Sequence, residues 1–381
     1  MQASEIAPGQ RFAPPRRPES VAGWSSVVGR CCLAITFAML FAVPASAADD
    51  VCGDGGIGGT GAPVAAHAGE GDGSNPEPVG GIGGTGIVAR LAPGERGRVI
   101  GTITRFGSIC VNRLRIAFEA DTPTARDGRA IPAADLQVGQ MVRVEVARGG
   151  DALRAQSIVL LASLVGTVTA RDEEARVFRV MGQPVRLSRS TWIGISGTAV
   201  PAVGTKVRVS GVIDPAGIVA ASRLDGAGVD EPDAIMARVR EIDGRYLAVG
   251  EVHVELVSGE PAEPPELGEE VAVAGRWNGE ALVAQSLALA PRGAFGVRAA
   301  SIEGFLHGCR SSDDLGLDGQ QLDFGAAPPP RGWVGRRVVA DGHLREDGVF
   351  EVERVVPSPF DGDTPGKAVE LQCTTRSSPG S

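Results

Sequence analysis

The chain has 381 residues, of which 43% are hydrophobic and 22% charged, and its net charge is −9 at pH 7. This length allows two or three ordinary domains, and the composition supports packed cores rather than a collagen-like or disordered chain. Aromatic residues make up only 4% of the chain. An acidic chain with so few aromatic side chains is poorly equipped to hold nucleic acid, so we expect no nucleic-acid partner.

Residues 1–47 have the pattern of an export signal. Arg30 precedes an uncharged apolar run over 31–43, and Ala45-Ser46-Ala47 has the small-x-small form of a cleavage site. The run is too short to cross a bilayer core of about 30 Å. We therefore predict cleavage after Ala47 and a periplasmic or extracellular protein with no membrane span after cleavage. An uncleaved membrane anchor is the alternative.

A glycine-rich segment follows at 48–96. Residues 55–61 and 80–86 both read Gly-Gly-Ile-Gly-Gly-Thr-Gly, which contains the Gly-x-Gly-x-x-Gly pattern of dinucleotide-binding loops. Such a loop needs a strand before it and a helix after it, and neither is indicated here. We predict a flexible tether and no cofactor. A segment that pairs with a sheet edge is the alternative.

From residue 97 onward the chain is a repeat array. A Val-Gly or Leu-Gly turn recurs at Gly139, Gly204, Gly268 and Gly335, at spacings of 65, 64 and 67 residues. Each glycine is followed by valines alternating with other residues, the period of a strand with one buried face, then by a turn and another strand. Each unit opens with an earlier strand pair, whose second strand in the first unit is predicted to run over 109–118.

The fold predicted from this pattern is all-β. A unit of about 65 residues must hide its sheet edges, and closure into a small barrel does so directly. We therefore predict a tandem array of four small OB-like (oligonucleotide/oligosaccharide-binding-like) β-barrel repeats after the tether. A meander sandwich across two units is the alternative. The predicted boundaries are: signal peptide 1–47, tether 48–96, barrel repeats 97–162, 163–229, 230–292 and 293–359, and a disordered tail 360–381.

The first two units resemble a catalogued family. The motifs Gly107-Ser108-Ile109 and Val111-Asn112, with the glycine-rich leader before them, are similar to the bacterial repeat domain DUF5666 over residues 53 to 225. The later units resemble it loosely, because Ala237 replaces the opening glycine and the fourth unit lacks the Val-Asn motif. The resemblance implies export and a β-rich repeat, and it implies no activity.

After cleavage the chain would keep four cysteines, Cys52, Cys110, Cys309 and Cys373. An even number of cysteines in an exported chain is compatible with disulfides, and three pairings are possible. We favour Cys309–Cys373 because the two residues flank the last unit. Free or buried thiols are the alternative.

Titratable groups that could form a site are few. His307 and Cys309 are spaced to share one face of a strand, and His343 falls in the same unit, so these three residues are the candidate metal ligands. His253 alternates with valines and is expected to face solvent. No nucleophile–base arrangement is recognisable, so we expect no catalytic residues.

These observations predict an exported, non-catalytic repeat protein that acts as a binding or scaffolding module at the bacterial cell envelope. Its partner would be an envelope protein or a polysaccharide. The alternative is oligosaccharide or small-ligand binding by the OB-like barrel faces. Metal binding or enzymatic activity is less favoured than either. A binding module should expose clustered aromatic and polar groups, a scaffold should show edge contacts, and an enzyme should show a pocket with convergent titratable residues.

Overall fold

The computed structural model describes Cys52 and residues 87–150, 152–195, 200–257, 264–289, 297–308, 315–317, 320–325 and 332–361. All of them lie in the compact unit Ala47–Ser381. The predicted leader, most of the predicted tether and most of the predicted tail lie outside these residues. Among the described residues, no helix is both long enough and apolar enough to cross a membrane.

The prediction of an all-β fold is confirmed. The helical elements of the described chain are two short 3₁₀ turns, Ile87–Arg90 and Ala133–Asp135. The strands fall into four successive groups. The first contains β1 (Arg96–Arg105), β2 (Ile109–Val111), β3 (Leu114–Ala117), β4 (Thr124–Arg126), β5 (Arg129–Ala130), β6 (Met141–Gly149) and β7 (Ala152–Leu161).

The other three groups contain five strands each. The second is β8 (Leu164–Asp172), β9 (Val177–Val180), β10 (Gln183–Ile193), β11 (Lys206–Ile213) and β12 (Val219–Gly226). The third is β13 (Asp233–Asp243), β14 (Tyr246–Val249), β15 (Val252–Leu256), β16 (Glu270–Trp277) and β17 (Leu282–Leu289). The fourth is β18 (Ala299–His307), β19 (Gly316–Leu317), β20 (Gln320–Asp323), β21 (Arg337–Leu344) and β22 (Phe350–Pro357).

Each group closes on itself through backbone hydrogen bonds, and we call the four groups barrels 1 to 4. In barrel 1 the ring runs β1-β2-β3-β7-β6 and back to β1, with β3 and β7 parallel and the other pairs antiparallel. The strands of barrels 2, 3 and 4 pair in the same order, again with the third strand parallel to the fifth. Closure satisfies the edge hydrogen-bonding groups that an open sheet of this size would expose.

The recurrent glycine is explained by a turn that all four barrels share. In barrel 1 the N–H of Gln140 donates to the carbonyl of Gln137, and Gly139 between them has φ +88°. A positive φ at this position defines a type II turn, which favours glycine because it has no Cβ. Gly204, Gly268 and Gly335 have φ values of 88°, 85° and 85°. The N–H of each of these glycines donates to a carbonyl of its barrel's first strand, at 2.7–2.9 Å.

Residues 109–118 form a hairpin and not the single strand predicted. Asn112 and Arg113 have φ values of 52° and 68°, which reverse the chain between β2 and β3. The Asn112 side chain lies against Gly101, where a Cβ would overlap its Oδ1 atom. Its Nδ2 atom lies 2.9 Å from the Ile100 carbonyl and 3.1 Å from both oxygens of Ser301 in β18. The Val-Asn motif therefore fixes a turn and also ties barrel 1 to barrel 4.

The barrels are joined by their first strands. The amino-terminal part of β1 pairs with β6 on one edge, and on the other edge residues 97–100 pair in parallel with 299–302 of β18. The first strands of barrels 2 and 3 also pair, but β8 and β13 run antiparallel there. The first and last barrels thus share one 12-stranded sheet, and the two middle barrels share a 10-stranded sheet.

One hydrophobic core draws on all four barrels. It centres on barrel 4, through side chains such as Ile302 and Phe350. The other barrels contribute Ile100, Met141 and Leu161 of barrel 1, Val212 of barrel 2 and Met236 of barrel 3. The four barrels therefore pack as one body around a common centre.

A buried ion pair reinforces the contact between barrels 1 and 4. Arg337 Nε lies 2.9 Å from Glu303 Oε1, and each side chain is only 2% exposed. The Thr102 N–H of β1 donates to the other Glu303 oxygen at 2.7 Å, and Arg337 donates to the Thr102 hydroxyl at 3.0 Å. A charge pair this deep is stable only when its remaining hydrogen bonds are made, and barrel 1 supplies two of them.

Candidate functional site

The candidate site is a cavity of about 410 Å³ where barrels 2, 3 and 4 meet. Barrel 2 contributes the turn between β11 and β12, barrel 3 the middle of β13, and barrel 4 the end of β18. The apolar part of its wall includes Ile213, Pro215, Ala216, Ala237 and Phe305. A volume in this range suits a small organic ligand.

Asp214 fixes the wall that barrel 2 provides. Its Oδ1 atom accepts hydrogen bonds from the N–H groups of Ala216 and Ile218, at 3.0 and 2.9 Å. Its Oδ2 atom accepts from Arg186 at 2.8 Å. With both oxygens engaged, this carboxylate acts as a turn-forming group, as aspartate commonly does at such positions.

Arg238 and His307 meet at the boundary between barrels 3 and 4. The Arg238 Nη2 atom lies 2.7 Å from His307 Nε2. Because a guanidinium carries only donors, the Nε2 atom must be the acceptor in this contact. His307 is therefore neutral there, with its ring proton on Nδ1. Arg238 is thereby oriented on the cavity wall with donors beyond the one given to His307.

A buried glutamine holds barrels 2 and 3 together beside the cavity. Gln183 is fully buried, and its amide donates to the Gly217 carbonyl at 2.6 Å. Its Oε1 atom accepts from the Glu251 N–H at 2.9 Å, and the Glu251 side chain contacts Arg240 on the cavity wall. Arg240 therefore pairs with a residue whose backbone is held by barrel 2.

The lining indicates which kind of small molecule the cavity could hold. An apolar wall that also carries guanidinium donors suits a small molecule with an apolar body and an anionic or carbonyl group. Two carboxylates also line the cavity: Asp214 is already engaged in its turn, and Glu270 pairs with Arg238 in the register of β13 and β16. Within the described residues, no cluster of three or more His, Cys, Asp or Glu side chains has the geometry to hold a metal ion.

The structure separates two of the residues predicted as metal ligands. His307 ends β18 at the cavity, whereas His343 of β21 pairs with Ala299 at the opposite end of β18. His343 contacts Glu353 there, at 3.1 Å. Eight residues of extended strand separate the two positions, about 26 Å, so the two histidines cannot share one ion. Cys309 lies outside the described residues.

The disulfide in the described chain joins Cys52 to Cys110, with Cα atoms 6.2 Å apart. The Cys52 N–H also donates to the Arg113 carbonyl at 2.8 Å. Cys52 is thus fixed to the β2–β3 hairpin, and Val88 and Leu91 are buried in the core of barrel 1. The predicted tether is therefore attached to barrel 1 near both of its ends. Cys309 and Cys373 lie outside the described residues, and their pairing stays a prediction.

Sequence reasoning missed Arg238 and Arg240. Both lie on β13 two residues apart and both line the cavity, although the register of β13 against β14 shifts between Val239 and Glu241. This spacing was visible in the sequence. The two arginines form a site only together with His307 at the end of β18. His307 lies 69 residues from Arg238 in the sequence, and the packing of barrel 3 against barrel 4 brings the two together.

The fold and the cavity define an all-β protein of small closed barrels with a ligand-sized space between them. Comparison with protein families identifies the first two barrels. Residues 96–159 and 165–225 each match the domain described as Domain of unknown function (DUF5666), so the chain contains two copies of that domain. The resemblance seen in the sequence is confirmed, and barrels 3 and 4 lie outside the matched ranges.

No curated protein matches the chain. Among solved structures, "drosophila Unr CSD456" is similar at 14% identity, over 52% of this chain and 98% of that one, with a TM-score of 0.17. A multidomain protein with nucleic acid binding domains from Streptococcus pneumoniae is similar at 15% identity, over 51% of this chain and 73% of that one, with a TM-score of 0.12. At these TM-scores neither likeness bears on the fold or function of this chain.

Proposed function

We propose that this protein is an exported, non-catalytic binding module in which OB-like barrels hold a small ligand at their junction. The cavity between barrels 2, 3 and 4 carries this proposal, because three barrels contribute to its wall and Arg238 is oriented on that wall by His307. The proposed ligand is a small carboxylic acid with an apolar body. Its carboxylate would face Arg238, and its body would lie against Ile213 and Phe305.

Barrels 1 to 4 are, in this proposal, four copies of one OB-like unit. The identical pairing order, with the third strand parallel to the fifth, supports this. The position of the β-bulge between the last two strands supports it as well. The register shifts at Val146, Gly211, Gly275 and Gly342, in each case seven residues after the turn glycine.

Export to the periplasm or the extracellular space is part of the proposal. It is favoured by the leader pattern of residues 1–47 and by the disulfide between Cys52 and Cys110. Disulfides persist in oxidising compartments and are rare where thiols are kept reduced.

A scaffolding role is the second candidate. It is favoured by the strand-edge pairing between barrels, and by the scattering of the exposed aromatic side chains. Among the described residues Phe106, Trp192 and Tyr246 are 45%, 42% and 47% exposed, and each lies in a different barrel. Ligand binding by a single aromatic barrel face is therefore less well supported than binding in the junction cavity.

The test is a thermal-shift titration with octanoate, with octanol as a matched neutral probe. A ligand at 100 times its dissociation constant stabilises the folded state by about 2.7 kcal/mol. The blocking variant is Ala216→Trp, because Ala216 is exposed at the cavity rim. The matched control is Ala175→Trp, at an exposed turn of barrel 2 away from the cavity.

We expect octanoate to stabilise the parent protein and the control, and to have no effect on Ala216→Trp. A larger shift with octanoate than with octanol assigns the carboxylate to Arg238, and Arg238→Met should remove that difference. No shift with either probe, or an equal shift in Ala216→Trp, would reject the cavity as the site and leave the scaffold as the better account.

A further inference from the structure

A second concave surface lies between barrels 1 and 4, away from the junction cavity. It is a groove of about 700 Å³ along the β1–β18 contact. Leu91 and Ala299 form part of its apolar floor, and Gln156 lies on its wall. The groove exists because β1 and β18 pair with each other, so neither barrel would form it alone.

Arginine is concentrated in this groove. Its lining contains four arginines, namely Arg90, Arg96, Arg98 and Arg298, against two glutamates, Glu95 and Glu145. Glu353 at the rim pairs with Arg90 at 2.6 Å. Even with Glu353 counted, the groove carries an excess of positive charge, whereas the whole chain carries 46 acidic residues against 37 basic ones. The groove is thus positively charged in a molecule whose net charge is negative.

Two of these arginines lie side by side. Gly97 of β1 and Ala299 of β18 are paired in parallel register, so Arg96 and Arg298 directly precede paired residues of two adjacent strands. Neighbouring strands are about 4.8 Å apart. Both arginines are exposed. Like charges placed opposite each other on adjacent strands are destabilising by themselves, and an anion between them reverses that effect.

A third arginine is held rigidly deeper in the groove. Arg98 is 14% exposed and its Nε atom lies 2.7 Å from Glu145 Oε1. Behind it, the pKa of Arg143 is lowered, mainly by burial and further by the positive charge of Arg98. The lining thus holds more arginines than carboxylates on this side of barrel 1.

The chemistry of the lining distinguishes between polyanions. Binding of single-stranded nucleic acid relies on bases stacked on aromatic side chains. Apart from the imidazole of His343, none of the described lining residues is aromatic. The lining instead alternates guanidinium donors with carboxylate and amide acceptors, at Glu95, Glu145 and Gln156. Such a mixture suits a ligand that carries carboxylates and hydroxyl groups together.

We propose that this groove binds an acidic oligosaccharide, with a sugar carboxylate received between Arg96 and Arg298. Arg98 then contributes a further donor deeper in the groove, and the glutamate and glutamine side chains accept from sugar hydroxyls. The site is independent of the junction cavity and of the ligand proposed for it.

The test is isothermal titration calorimetry of the full mature chain with an oligogalacturonate. Maltooctaose serves as the neutral sugar, oligo(dT) as the nucleic-acid polyanion and hexaglutamate as the acidic peptide. The variant is Arg96→Ser with Arg298→Ser. The control is Arg129→Ser with Arg189→Ser, which removes two exposed arginines outside the groove and leaves the same net charge.

We expect oligogalacturonate to bind the parent and the control with the same affinity, and the groove variant about tenfold or more weakly. The variant Ala216→Trp should bind it normally, which separates this site from the junction cavity. Absence of oligogalacturonate binding, or equal affinity in the groove variant, overturns the proposal. Tighter binding of oligo(dT) or hexaglutamate than of the sugar overturns the assignment to oligosaccharide.

Discussion

Replacement of Gly101 by alanine tests how the first strand and the hairpin turn of a barrel depend on each other. An added Cβ would overlap Asn112 Oδ1, so the asparagine side chain would have to move. Barrel 3 contains the reverse arrangement, because Ala237 in its first strand faces Gly250 in its turn. In barrels 1 and 3 the first-strand position and the turn position thus form a pair. One of the two is glycine, which leaves room for the side chain of the other.

The cost of Gly101→Ala can be worked out from these contacts. The Asn112 Nδ2 atom has two hydrogens and can make two of its three close contacts at once, each contributing about 0.5–1.5 kcal/mol. Crowding a packed interior adds about 1–3 kcal/mol. We therefore expect Gly101→Ala to lower the free energy of unfolding by about 3 kcal/mol.

The double variant distinguishes this account from a general effect of the added methyl group. Asn112→Gly alone should cost about 1–3 kcal/mol, because it removes the amide contacts. In that background Gly101→Ala should be neutral or slightly stabilising, since alanine is favoured over glycine in strand interiors by about 0.5–1 kcal/mol. The assay is guanidinium unfolding followed by tryptophan fluorescence. An equal cost of Gly101→Ala in both backgrounds would refute the reasoning.

Three further outcomes are expected. Burial raises the pKa of Asp341, and none of the described groups donates to its buried Oδ1 atom. Because the folded protein holds this proton more tightly than the unfolded chain, folding becomes less favourable as the pH rises through the raised pKa. Asp341→Asn should therefore raise Tm at pH 7–8, with a gain that fades in acid, and a pH-independent gain would contradict this. Removal of the Cys52–Cys110 disulfide, which spans 58 residues, should cost about 4 kcal/mol in the loop-entropy model. Non-reducing peptide mapping should find the linked peptide in the parent protein, and its absence would contradict the pairing. Glu303→Ala leaves Arg337 buried without its carboxylate and should cost about 3–5 kcal/mol in denaturant unfolding. Combination with Arg337→Met should recover much of that loss, and an equal loss in the double variant would argue against the pair.

The features that were predictable from sequence are local ones. The type II turn at Gly139 recurs at regular spacing because its positive φ favours glycine wherever the turn is used. The strands after it were recognisable from the alternation of valine. The hairpin at Asn112-Arg113 escaped recognition because its second turn residue is arginine, whereas the strongest two-residue hairpin signal ends in glycine.

The packing of one barrel against another was visible only as a departure from alternation. Val99-Ile100 and Met141-Val142 place apolar residues on both faces of their strands, and both members of each pair are buried. One face belongs to barrel 1 and the other to the core shared by four barrels. Such runs indicate burial on both faces, but they do not indicate which partner covers the second face.

The candidate site was beyond sequence reasoning for a related reason. His307 was singled out as a metal ligand because of its spacing to Cys309, whereas its contact in the structure is Arg238 of another barrel. The disulfide is a similar case. Four cysteines allow three pairings, and the distance between Cys52 and Cys110 is fixed only once β2 is placed.

The edge pairing between barrels shows why this array differs from an extendable repeat protein. In a solenoid each repeat contacts only its neighbours, so repeats can be added or removed with their own interfaces. Here the edge of β1 that does not pair with β6 is covered by β18 of the last barrel. The same contact buries the outward side chain of Ile100. A chain that ended after barrel 3 would therefore expose both a strand edge and an apolar face on barrel 1, a combination that promotes association. The two DUF5666 copies thus depend on barrels that the family pattern does not match, and both candidate ligand surfaces lie where such different barrels meet.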